Sequence, residues 1–188
     1  MSDIAWNREL YEPRDSGPHV DAERNTVADP RLFRNALGSF ATGVIAATYA
    51  SAGRNYGVTV NSFTSVSLEP PLVLVSLMRT SRALNYLLER PFAINVLASD
   101  QLETALHFAG KPQESEPIWV TDESAPRLAG AMAYFQCTPW AAYDGGDHVL
   151  VLGRVLSHGE EPAAQPLVFQ RGRWTELVQP NPDVKESA

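Results

Sequence analysis

Apolar residues change their spacing several times along this chain, and each change predicts an element. Positions 1–28 are polar and mixed in charge, with Pro13, Gly17 and Pro18 interrupting any regular pattern, so a flexible N-terminal arm is expected there. At Asp29-Pro30 an N-cap precedes a proline at the first helical position. Leu32, Phe33, Ala36, Leu37 and Phe40 then recur at helical spacing, which predicts a helix to about Ser39. Val44–Tyr49 and Tyr56–Val60 read as the two strands of a hairpin around Ser51–Asn55. Beyond a Ser/Thr-rich stretch, Pro70-Pro71 leads into Leu72–Leu77, an apolar run typical of a strand buried on both faces.

A helix capped by Thr80 or Ser81 should run through Glu89, turning Ala83, Leu84, Leu87 and Leu88 to the core and stopping before Pro91. Phe92–Leu97 is a further strand, and Asp100-Gln-Leu-Glu103 resembles a capping box that opens a helix ending at Gly110. Residues 111–127 carry Pro112, Pro117 and Pro126 among four acids and read as a surface excursion. Strands are expected again over 131–143, 149–157, 166–170 and 173–177, with Asp144-Gly-Gly-Asp147 as a hairpin turn and 179–188 as a polar tail. The sum is a mainly β fold with a few helices. It is best drawn as a six- or seven-stranded, mostly antiparallel barrel in one domain over residues 29–178.

Composition narrows the classes. A net charge of −7 argues against binding nucleic acid through the whole surface, which needs clustered Lys and Arg. The single cysteine, Cys137, has no disulfide partner in the chain and reads as a core residue, in keeping with a reducing compartment. No run approaches the roughly 18 apolar residues of a membrane span. The first residues lack the cationic start and apolar middle of a secretory signal, so a cytoplasmic setting is expected. There is no Gly-x-Gly-x-x-Gly, no P-loop lysine and no Gly-x-Ser-x-Gly elbow, and the four histidines lack metal-ligand spacing.

What does stand out is Tyr56–Leu77. Thr59, Ser62, Thr64, Ser65, Ser67 and Ser76, with Asn61, place uncharged donors and acceptors between two β-forming runs. Such a wall suits a planar, heteroatom-rich ligand that ends in a phosphate, as a flavin does. Bland readings stand beside this one. Thr64, Ser65 and Ser67 can simply satisfy backbone groups where strands enter and leave a barrel. Arg82 can be a solvated charge and His148 a turn histidine, while Phe108 shares an apolar helix stripe with Ala105 and can be core. His107 and His158 read as structural or exposed, and the four tryptophans suggest no cluster.

Taken in order, Phe33-Arg-Asn-Ala-Leu-Gly-Ser-Phe-Ala-Thr-Gly-Val44, Gly57-Val-Thr-Val-Asn-Ser62 with its continuation to Ser76, Ser81-Arg82, Phe92-Ala-Ile-Asn-Val-Leu-Ala-Ser-Asp-Gln101, Phe108-Ala-Gly110 and Gly145-Gly-Asp-His148 closely resemble the flavin reductase-like family. The resemblance covers roughly residues 29–178. It implies a Greek-key-like split barrel of the FMN-binding type and hydride transfer from NADH or NADPH to FMN or FAD. It also implies a homodimer with flavin near the interface, and a flavin-dependent monooxygenase that receives the reduced flavin. By the same resemblance Gly57, Val58, Thr59, Asn61 and Ser62 line the isoalloxazine and ribityl chain. Ser76, Leu77 and Met78 form a second flavin-contacting stretch, and Ser81 and Arg82 lie near the phosphate. Gly146, Asp147 and His148 lie near the nicotinamide, with Phe108 beside the same pocket; Asp147 and His148 are the catalytic candidates. A guanidinium at Arg82 suits a phosphate, which it can bind through two parallel hydrogen bonds. Two other readings stay open: a flavoprotein that keeps its flavin and acts directly on an organic substrate, and a non-catalytic flavin sensor or interaction module.

Overall fold

Asp29 caps the first helix as its place before Pro30 predicts. In the computed structural model, which describes residues 29–120, 124–175 and 177, Asp29 Oδ1 accepts the Arg31 N–H at 2.8 Å and α1 covers Pro30–Leu37. The helix stops short of Ser39, with Gly38 as its C-cap, and none of its residues is buried. The expected arm and polar tail lie outside the described residues.

Strands follow: β1 (Thr42–Gly43), β2 (Ile45–Ser51), β3 (Arg54–Val60), β4 (Thr64–Leu68) and β5 (Pro71–Met78). After α2 (Arg82–Glu89) come β6 (Phe92–Val96), α3 (Leu102–Phe108), and the short pair β7 (Trp119–Val120) and β8 (Arg127–Leu128). Two long strands, β9 (Ala133–Gly145) and β10 (His148–Glu160), form a hairpin, and β11 (Val168–Gln170) and β12 (Arg173–Thr175) end the described chain. Seven strands make one antiparallel sheet in the order β3-β2-β6-β9-β10-β5-β4. Alternate residues of these strands point inward: Ile45, Ala47 and Tyr49 from β2, and Val73, Val75 and Leu77 from β5. Together with Phe92, Ile94, Val149 and Val151 they form the main core, onto which α2 lays Ala83, Leu84 and Leu87.

Curling brings β3 against β5, but no backbone ladder joins them. Ser62, two residues past β3, bridges the seam instead: its hydroxyl accepts the Ser76 N–H at 3.0 Å and donates to the Ser76 carbonyl at 2.9 Å. The split barrel is thus seven-stranded and open along one edge. β4 is an edge strand within the Ser/Thr-rich stretch, to which the sequence assigned no element. Its Val66 and Leu68 alternate with Ser65 and Ser67, yet almost all of it is exposed.

Two further differences concern α3 and the segment before β9. Asp100 does not cap α3. A 3₁₀ turn over Ser99–Gln101 precedes the helix, and the Gln101 carboxamide accepts the Ala98 N–H at 3.1 Å and donates to Ala129 O at 2.8 Å. Glu103, the other half of the expected box, accepts the Ser115 hydroxyl. Nor does 111–127 merely run over the surface, since Pro117, Ala125 and Pro126 are buried, as is Leu128 just beyond it. Leu128 joins a second core with Val44, Ala46, Leu97, Ala105 and Leu167. Trp119 and Trp174 both pack against that core, Trp119 on Phe108 and Trp174 on Phe169.

Three buried polar side chains fasten this segment to the barrel. Asn95 accepts the Leu128 N–H at 2.8 Å and donates to Ala46 O and Thr48 Oγ1, both at 2.9 Å. Thr48 donates to Pro126 O at 2.6 Å, and Gln136 Nε2 donates to Ala125 O at 2.7 Å. Cys137 is fully buried, and burial pushes its thiol up to about 12. Asn95→Ala strands the Leu128 N–H in the interior, so the urea midpoint should report a loss of about 2–3 kcal/mol. An unchanged midpoint would remove Asn95 as the anchor.

Candidate functional site

Beside the seam, the ends of β3 and β5 and the start of α2 enclose a cleft of about 450 Å³, within the size range of small-molecule sites. One wall is Val58, Thr59, Val60, Asn61 and Ser62; the other is Ser76, Leu77, Met78, Thr80 and Ser81. His148 completes it. Sheet register explains the convergence: His148 opens β10 directly opposite Met78 at the end of β5, although the two are distant in sequence. Nine sequence-nominated residues meet here: Val58, Thr59, Asn61, Ser62, Ser76, Leu77, Met78, Ser81 and His148.

Several of these residues build the wall as well as line it. Thr59 donates its hydroxyl to Ala105 O at 2.8 Å, tying β3 to α3, and the Ser62 hydroxyl is engaged by Ser76. Asn61, Thr80 and Ser81 supply the cleft's other uncharged polar groups. Gly57 and Phe108 are not among its lining residues. They pack on each other: a Cβ at Gly57 would stand 2.9 Å from the Phe108 ring, so glycine permits α3 to close on β3. Phe108 also lies 5.7 Å from Trp119, ring centre to ring centre, within the second core.

At one end, Ser81 is the N-cap of α2, yet its side chain makes no capping hydrogen bond and the first turn carries no acid. Arg82, exposed at the first helical position, sits beside the cleft rather than in its lining. A free helix N-terminus with an adjacent guanidinium suits an anionic group.

Beside it, bonded to Arg79, stands the β9–β10 turn, which carries Gly146 and Asp147. Gly146 has φ of +77°, a left-handed conformation that glycine adopts without strain. Asp144 Oδ1 accepts the Gly146 N–H at 2.8 Å and an Arg79 guanidinium N–H at 3.0 Å. Arg79 further donates Nε–H to Gly146 O at 2.7 Å and its backbone N–H to Asp147 O at 3.0 Å. His148 Nδ1 lies 2.7 Å from Asp147 Oδ1. This hydrogen bond, then the imidazole's charge, holds the Asp147 carboxyl below its usual value. A ring that donates Nδ1–H to a carboxylate keeps Nε2 as an acceptor when neutral and as a donor when protonated. Val60 and Thr80 in the lining, and Arg79 beside it, are the residues that sequence reasoning missed. The one local signal for Arg79 and Thr80 was a cation and a hydroxyl between a buried strand and a helix cap. No group of three or more metal-ligating side chains occurs among the described residues, and none of their helices is long and apolar enough to cross a membrane.

Residues 37–177 match the family model described as a flavin reductase like domain. The chain is 40% identical over 152 residues to the reductase subunit HsaB of a flavin-dependent monooxygenase from Rhodococcus jostii, covering 78% of this chain and 77% of that protein. It is 41% identical over 147 residues to the FMN reductase (NADH) SmoA of Agrobacterium fabrum, covering 77% and 84%. Among solved structures, the Streptomyces globisporus NADH:FAD oxidoreductase SgcE6, in complex with NAD and FAD fragments, superposes with a TM-score of 0.73. That match has 35% identity and covers 86% of this chain and all of the other.

The lowered Asp147 pKa has a definite sign. Its contribution to stability is present above the unfolded carboxyl value and is lost as pH falls through the lower folded value. Carbon NMR of the Asp147 carboxyl should therefore show titration below 3.8, returning towards 3.8 in His148→Ala. Identical titration in both proteins would contradict the contact.

Proposed function

The chain belongs to the flavin reductase-like family, and from that premise we propose that it oxidises NADH, passes the hydride to FMN or FAD, and supplies reduced flavin to a separate flavin-dependent monooxygenase. NADPH is the other donor of the same chemistry. The observation that carries this reading is the meeting of a neutral, main-chain-rich wall with His148 in one cleft. A wall without charged side chains suits a flat ring system, and the α2 N-terminus with Arg82 suits a terminal phosphate.

When bound, a flavin supplies a ring that accepts a hydride, so the protein needs little covalent chemistry of its own. Val58–Ser62 and Ser76–Met78 would hold that ring between two strand ends, where backbone N–H groups and hydroxyls can support negative charge. Asn61 would offer the ring a polar group, and Ser81, at the α2 N-cap, would serve the phosphate. His148 keeps a proton at Nδ1 towards Asp147 and leaves Nε2 for the nicotinamide. With its side chain 37% exposed, the imidazole can meet a second ring arriving from solvent. By holding the two rings together, these residues would contribute to rate through proximity.

A homodimer completes the reading. α1 presents Leu32, Phe33 and Leu37 at 67%, 49% and 59% exposure, followed by Phe40 at 79%. An eight-residue helix with no buried residue gains little stability alone, and a second copy is the partner that would cover this apolar stripe. Among relatives, HsaB is the reductase subunit of a monooxygenase, which supports a separate oxygenase as recipient here. A cytoplasmic setting agrees with the lone buried thiol of Cys137.

Purified protein should consume NADH only when free FMN or FAD is added. Consumption independent of added flavin would favour a retained cofactor, and none at all would end the reading. His148→Ala should lower kcat/KM for NADH by about ten- to a hundredfold while the FMN Kd, read by fluorescence quenching, moves far less. Unchanged turnover would remove His148 from the reaction. Leu37→Asp should shift sedimentation from dimer towards monomer, and a monomeric parent protein would refute the dimer.

A further inference from the structure

We propose that Arg79 is a positioning residue that sets where His148 stands over the cleft, and so governs the nicotinamide half of the reaction without touching flavin. The proposal rests on the reductase reading above for its kinetic consequence, though not for its geometry.

The backbone ladder between β5 and β10 ends at the Met78–His148 pair. Beyond it, the turn bearing Gly146 and Asp147 projects past the sheet, and Asp147 has a side chain 86% exposed. Burial therefore cannot hold that carboxylate in place. Arg79 can, because it is the first residue after β5 and reaches the turn with three donors. Its N–H bonds Asp147 O at 3.0 Å, its Nε bonds Gly146 O at 2.7 Å, and a terminal guanidinium nitrogen pairs with Asp144 Oδ1 at 3.0 Å. Asp144 Oδ1 in turn holds the Gly146 N–H, so the guanidinium grips the turn through its backbone and through the side chain that shapes it.

An exposed ion pair alone contributes little. A planar fork with divergent donors, one on a carbonyl and one on a carboxylate, fixes an orientation that a lysine could hold at only one point. Asp147 then holds the His148 imidazole at 2.7 Å. The chain of contacts runs from Arg79 through the turn to the ring. Met78 O accepts the Ser81 N–H at 2.8 Å in the turn that contains Arg79, a backbone bond that does not involve the Arg79 side chain and keeps the start of α2 in place. Loss of the guanidinium should thus loosen the β9–β10 turn and spare the α2 N-terminus beside it.

The test compares Arg79→Ala, Arg79→Lys and Asp144→Asn with the parent protein. Arg79→Ala should keep its melting profile and its FMN Kd within about twofold, while kcat/KM for NADH falls about ten- to a hundredfold. The imidazole nitrogen resonances of His148 should shift or broaden. Arg79→Lys should recover only part of both effects, and Asp144→Asn, which keeps side-chain volume, should reproduce them in weaker form. Parent-like NADH kinetics together with unmoved His148 resonances in Arg79→Ala would overturn the proposal. So would equal losses in FMN and NADH binding, which would mark a general structural role. Should the parent protein oxidise no NADH, the reductase reading falls by itself, and the His148 resonances alone decide whether Arg79 positions the ring. If Arg79→Ala fails to fold, the resonances in Asp144→Asn make the same decision.

Discussion

A sheet that curls without closing leaves backbone groups unpaired along its seam, and burial makes such groups expensive. Here one hydroxyl answers for a missing stretch of ladder. Ser62 takes the N–H and gives to the C=O of Ser76, extending the β4–β5 pairing past Thr64 and Leu74 at the point where the chain leaves β3. The cleft exists because the seam is held at one point rather than zipped along its length. A fully paired barrel would have no such opening for a flat ligand, and an unpinned one would have no fixed wall.

That economy depends on stiffness elsewhere. The segment ending in β8 covers the second core, and it is anchored by side chains from the middle of the sheet: Thr48 on β2, Asn95 on β6 and Gln136 on β9. Each is buried, and each bonds main-chain groups of residues 125–128: Thr48 at Pro126 O, Asn95 at the Leu128 N–H and Gln136 at Ala125 O. Phe108, seated on Gly57, and Thr59, bonded to Ala105, then brace β3 from the same side. The wall facing the ligand is therefore backed by a packed layer.

Which of these features could be read from the sequence follows from how local their causes are. Asp29-Pro30, the apolar run of β5 and the Asp144-Gly-Gly-Asp147 turn depend on residues within a few positions of one another, and each was legible. β4 was not, because its alternation is limited to Val66 and Leu68 among serines, too short a run to tell a strand from a polar connection. Residues 111–127 looked like loop because their anchors are supplied by β2, β6 and β9. Most of the cleft was legible through family motifs, which preserve order along the chain. Arg79 was not, since its Nε acceptor lies 67 positions away and only the β5–β10 register brings them together. Gly57 and Phe108 show another case: the ring packs on the glycine, in keeping with the core reading that the apolar stripe shared with Ala105 offers for Phe108.

Buried Cys137 carries a last consequence. Reduced flavin released into air reacts with oxygen to give hydrogen peroxide, and peroxide attacks thiolates rather than thiols. With its ionisation pushed up to about 12 and its sulfur sealed between β6 and β10, Cys137 stays protonated and shielded. The chain's one thiol is chemically silent beside a reaction whose product generates oxidant.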